Sequence, residues 1–178
     1  MAGVQGEILA AKRLHTDYGE AMLADPELAP LIERYRGAFL NTRAIMEQEG
    51  IFTACAACAA RVEGGCCFCG VEEWYDSMLL LINLLLGTQI PLSGNLAEGC
   101  LFVGPGGCRL TAKHSFCLNY LCPALKSGLQ AGAETRLLAV IGEELLRGWD
   151  LERGIRTWLS RRSSPHAEPL TTPFAGVS

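Results

Sequence analysis

The chain has no cysteine before residue 55 and none after residue 122. It has only three histidines, no excess of basic residues and no long apolar run. Each of these absences closes off a class of function. The longest apolar stretch, residues 78–86, is interrupted by Asn83 and stops at Gly87. A membrane span needs about 20 apolar residues, so this stretch reads as a buried helix and no membrane partner is expected. A net charge of −4 and a pI near 5.4, with the Lys and Arg residues scattered, argue against a nucleic-acid partner. The N-terminus has no basic stretch followed by an apolar core, so no signal peptide is read there. The expected compartment is the cytoplasm, where thiols stay reduced. The glycines of residues 104–107 lack the Lys-Ser/Thr ending of a phosphate loop, and no serine sits in a nucleophile elbow. No catalytic residue is assigned.

What the chain does have is nine cysteines in a 68-residue window. They are Cys55, Cys58, Cys66, Cys67, Cys69, Cys100, Cys108, Cys117 and Cys122. Soft sulfur donors at this density suit zinc or an iron–sulfur centre, and an odd number cannot pair completely into disulfides. Cys55 and Cys58 have the spacing that lets two thiolates reach one ion. Gly64-Gly65 lets the backbone fold tightly before Cys66. Neighbouring side chains of an extended segment point opposite ways, so Cys66 and Cys67 are expected to divide between two adjacent sites. Cys100, Cys108, Cys117 and Cys122 would complete them. Eight thiolates fill two four-ligand sites and leave one spare. For Cys69 a buried, non-ligating thiol is an equal alternative. A redox role for Cys55 and Cys58 is disfavoured, because a helix and not a strand precedes them.

Other candidates read as structural. His114, three residues before Cys117, could complete a Cys3His set, but a polar residue on a short helix is favoured. His15 reads as a satisfied core histidine and His166 as solvated. Glu72, Glu73 and Asp76 could be hard ligands, but negative charge in a helix's first turns is favoured by about 0.3–1 kcal/mol each. Trp74, Trp149 and Trp158 fall at core spacing.

The scaffold is expected to be mainly α, a helical bundle carrying a cysteine-rich loop and β-hairpin insertion. Apolar periodicity predicts helices over residues 6–24 and 30–49, the second opened by Pro30 and closed by Gly50. Residues 71–86 form a helix apolar on nearly every side, expected at the bundle centre. Residues 100–110 read as a hairpin turning at Gly104–Gly107, and residues 113–122 as a short helix that Pro123 ends. Residues 133–147 and 150–161 carry two further stripes that Gly148 bends or splits. A single helical domain therefore spans residues 1–162 with a metal module at 55–122, and residues 163–178 are expected to be disordered.

The pattern Cys55-x2-Cys58, Cys66-Cys67, Cys100-Leu-Phe-x4-Gly-Cys108-x-Leu and Cys117-x2-Tyr120-x-Cys122 resembles the YkgJ-type cysteine-cluster family. The resemblance covers the 68-residue window and not the flanking helices. Lys113-His114 stands where that family carries an Arg-Pro pair. The resemblance implies zinc or iron chelation, and a thinner link to flagellin lysine methylases. The expectation is a metal-binding protein with structural or regulatory thiolate sites, zinc before iron–sulfur. The alternative is an iron–sulfur protein with electron-transfer or methyltransferase-type activity.

Overall fold

The computed structural model describes residues 3–59, 66–68, 70–94, 99–104 and 106–163. Gly64-Gly65, Cys69, His166 and the expected tail beyond residue 163 lie outside the described residues. The architecture is mainly α, as the periodicity predicts.

Helix α1 (Val4–Ala24) buries Ile8, Ala11 and Met22 and stops where Asp25 turns extended before Pro26. The Asp25 carboxylate then accepts the Glu27 and Leu28 N–H groups at 2.9 and 3.2 Å, folding the chain into α2 (Ala29–Gln48). Pro30 lies in the first turn of α2, and Gly50, at φ 69°, follows its C-cap. Helices α1 and α2 splay apart, each finding its main partner elsewhere.

The partner of α2 is α7 (Ala133–Ser163), a single helix of 31 residues. The expected split at Gly148 does not occur. The glycines on this helix instead make room for α2: a Cβ at Gly148 would come 3.2 Å from Tyr35 Cε2, and one at Gly154 would come 2.6 Å from Leu31 Cδ1. Contacts run from Glu27–Arg161 through Leu31–Gly154, Tyr35–Gly148 and Thr42–Val140 to Glu49–Arg136. As the α2 number rises the α7 number falls, so the two helices are antiparallel.

The partner of α1 is α4 (Ser77–Leu85), which buries Leu80, Leu81, Ile82 and Leu85 at the centre of the larger core. The predicted helix over residues 71–86 is in fact broken. A 3-10 turn, Val71–Trp74, gives way to extended Tyr75, and Asp76 caps α4 by accepting the Leu79 N–H at 2.8 Å. An Asp-Ser pair competes for backbone N–H groups better as a helix start than as a helix interior. A smaller core gathers Met46, Ile51, Leu118, Leu121, Leu137 and Ile141. Of the three tryptophans only Trp158 packs inside, its indole N–H donating to Asp25 at 2.7 Å. Trp149 is 78% exposed and Trp74 43% exposed, which corrects the core reading of both. Among the described residues no helix is long and apolar enough to cross a membrane.

Candidate metal centre

Backbone pairing brings the cysteine segments together. The Cys67 carbonyl accepts the Cys100 N–H at 2.9 Å, and Phe68 bridges to Gly99 alongside it. Strands β1 (Val103–Gly104) and β2 (Gly107–Cys108) then form the expected hairpin, with Val103 opposite Cys108 and Gly107 at φ 97° in the turn. Cys67, Cys100 and Cys108 are thereby tied to one corner of the fold.

Cys117 joins them from α5 (Ser115–Asn119). His114 Nδ1 accepts the Phe116 N–H at 3.2 Å and caps this helix, which is the polar-residue role expected for it. The buried Tyr75 hydroxyl accepts the His114 N–H at 3.0 Å and donates to Cys117 Sγ at 3.7 Å. Asn83, fully buried on α4, anchors the approach to α5. Its Oδ1 accepts the Thr111 and Ala112 N–H groups, and its Nδ2 donates to the Leu79 and Ala112 carbonyls. Pro123 does not end a helix there; it opens α6 (Pro123–Gly128), with Cys122 as the preceding cap residue.

Cys55 and Cys58 do not lie in a loop. They sit one turn apart on α3 (Ile51–Ala59), where Ala54, Ala56 and Ala57 make helix the preferred backbone state. Helix α3 lies against the hairpin, and Cys55 packs on the smaller core, to which Leu118 and Leu121 also belong. Leu121 is the chain neighbour of Cys122.

The thiols divide by which neighbours they feel. Burial pushes Cys55 up to about 11, and Cys66, Cys122 and Cys58 raise it further. Burial likewise pushes Cys100 up to about 12, with Cys108 and Cys117 adding to the shift. Cys117 is raised by burial against the Tyr75 hydrogen bond that lowers it, with Cys108 and Cys66 among its neighbours. Cys66 and Cys67 share a hydrogen bond that holds Cys66 down at about 6 and pushes Cys67 up, and Cys67 also feels Cys108 and Cys117. One set is Cys55, Cys58 and Cys122, the other is Cys67, Cys100, Cys108 and Cys117, and Cys66 neighbours both. Cys66 and Cys67 lie in a bend and their thiols meet, so the expectation that they point apart is corrected. Both also neighbour Cys117. Lys113, its ammonium 5.3 Å from the Phe52 ring centre, lowers both Cys55 and Cys117 and so serves both sets.

The acidic residues have structural partners. Glu72 accepts the Gly70 N–H at 2.9 Å, and Glu73 accepts the Val4 N–H at 2.8 Å, capping α1 from the far side of the sequence. His15 is half-buried, lying over Gly19. Among the described residues no three His, Cys, Asp or Glu side chains are grouped closely enough to hold an ion as they stand. Sulfur donors are soft ligands, and among the described thiols Cys100 is buried, Cys108 exposed and the other six half-buried. Tyr75 was not singled out from the sequence, and Lys113 stood out there only as a departure from the family pattern. Asn83 carried a signal there, as the polar break in an apolar helix. No family model, curated protein or solved structure matches the chain.

Proposed function

We propose that the chain is a metal-binding thiolate protein with two adjacent four-cysteine sites, zinc being the ion that suits them first. One site is Cys55, Cys58, Cys66 and Cys122; the other is Cys67, Cys100, Cys108 and Cys117. The observation that carries the reading is the convergence of Cys67, Cys100, Cys108 and Cys117 on one corner of the fold, brought there by the 66–67 bend, the hairpin and α5. The cysteine pattern shared with the YkgJ-type family supports it, and that likeness rests on the pattern alone. Four thiolates close a tetrahedral zinc ion with no open position, which suits a structural or regulatory role. Binding draws the sulfurs inward and supplies folding free energy to segments with little core of their own. Iron–sulfur ligation uses the same donors and is the second choice. A dithiol redox role for the CxxC pair is disfavoured, because Cys55 is pushed up and reactive thiols of such pairs are depressed.

Serine substitutions test the partition. Cys58→Ser with Cys66→Ser removes two ligands from one site, and the protein is expected to retain about one ion per chain. Cys58→Ser with Cys67→Ser removes one ligand from each site, and retention is expected to fall toward none. Equal retention in the two double variants would overturn the partition.

A further inference from the structure

The backbone around Phe68 is held in antiparallel register with the segment that leads into the hairpin. Phe68 bridges to Gly99, and the Cys67 carbonyl accepts the Cys100 N–H at 2.9 Å. One step along each chain from that bridge, Cys67 therefore stands directly opposite Cys100. Residues opposite one another on antiparallel chains carry their side chains on the same face. Among the described residues no other two cysteines are set opposite each other by backbone pairing. Cys108, on β2, faces Val103.

Partners at such a hydrogen-bonded position have Cα atoms about 5.5 Å apart, and disulfide-linked cysteines usually have theirs roughly 4.4–6.8 Å apart. The backbone thus holds the two residues at bridging distance already, with both thiols free. We infer that Cys67 and Cys100 are a cross-strand redox pair, whose disulfide pins the 66–68 segment to the start of the hairpin. The inference rests on backbone register and stands apart from the metal reading above.

The step balances with a small disulfide, oxidised glutathione, as oxidant. Cys67 is half-buried and Cys100 is 6% exposed, so the reagent enters at Cys67. The Cys67 sulfur, giving up its proton, attacks the reagent, forms a mixed disulfide and releases one glutathione. The Cys100 sulfur then displaces the second glutathione as its own proton leaves and the Cys67–Cys100 bond forms. The protein loses two electrons and two protons, and the oxidant departs as two thiols. The bond closes a loop that contains the 3-10 turn and the whole of α4. Closing a loop restricts the unfolded chain and so favours the folded one, and a thiol reductant reverses the step.

The experiment uses the full chain, its metal content recorded first, with a chelator present so that a bound ion does not shield the thiols. Oxidised glutathione is added, the remaining thiols are blocked, and linked peptides are located by mass spectrometry before and after reduction. The expected result is a Cys67–Cys100 link that persists in Cys66→Ser and is lost in Cys67→Ser and in Cys100→Ser. The linked chain is expected to unfold at higher urea than the same chain after reduction, with slower amide exchange around Cys67 and Cys100. A link from Cys100 to Cys66 or to Cys117, or no link at all, would overturn the inference. A chain that carries no metal and forms the link defeats the metal reading alone. A chain that carries metal and forms no link defeats the redox pair alone.

Discussion

Burial holds Cys55 and Cys100 as neutral thiols, at about 11 and about 12, while a single hydrogen bond from Cys67 brings Cys66 down to about 6. These thiols shift in opposite directions because desolvation opposes the charged form and a donated hydrogen bond favours it. Tyr75 adds to this by placing its hydroxyl on Cys117 while gripping the His114 backbone. Such an outer hydrogen bond orients a ligand as well as tuning it. Away from the thiols, the residue under most tension is Glu144. It is 1% exposed, between α2 and α7, and neither carboxylate oxygen closes a well-formed hydrogen bond. Burial raises its pKa, while the nearby Thr42 and Tyr35 hydroxyls and Lys113 pull it down by less. The folded chain therefore keeps this proton to higher pH than the unfolded chain does. Its contribution to stability is full below the ordinary glutamate value, about 4.3, and is lost as pH rises toward the raised value. Glu144→Gln, a neutral mimic of the protonated acid, is expected to gain stability relative to wild type between pH 4 and pH 7. Urea unfolding of both proteins across that range checks it; parallel stability curves would contradict it.

At the scale of elements, capping residues decide where helices begin, and one cap crosses the chain. Glu73 accepts the first free N–H of α1 at Val4, 69 residues away, while Glu7 on α1 accepts the Ser77 N–H at 2.6 Å and so returns the contact to α4. Glu73→Ala is expected to cost about 1 kcal/mol, the usual value of a lost N-cap, with faster amide exchange confined to the first turn of α1. Unchanged stability in urea would show that the contact is idle. Helices α1 and α2 and the hairpin at Val103–Cys108 were legible in the sequence because their stripes, Pro30 and the glycine turn act locally. Three features were not. The break at Tyr75–Asp76 depends on a cap winning over an apolar run, which periodicity does not weigh. The continuity of α7 through Gly148 depends on Tyr35 of another helix occupying the space a side chain would need. The helical setting of Cys55 and Cys58 was hidden because alanines carry no apolar stripe to read.

For the molecule as a whole, the helices build two cores, and the hairpin joins the larger one through Phe102, Val103 and Leu110. Helices α1 and α4 pair in the larger core, α2 and α7 run antiparallel, and the smaller core links α2, α3, α5 and α7. The hairpin and the 66–67 bend are held by few backbone bonds, chiefly Cys100 to Cys67 and Arg109 to Phe102. That is the region where two ions would act as crosslinks. The cysteine count and the CxxC spacing are local and stand in the sequence, whereas the approach of Cys67, Cys100, Cys108 and Cys117 follows from the Cys100–Cys67 backbone bond and from Tyr75 and Asn83 anchoring α5, all of them long-range. Metal per chain, by elemental analysis of the anaerobically purified protein, tests the proposal most directly. The account predicts about two zinc ions per chain. A protein that folds and carries no zinc or iron would contradict it.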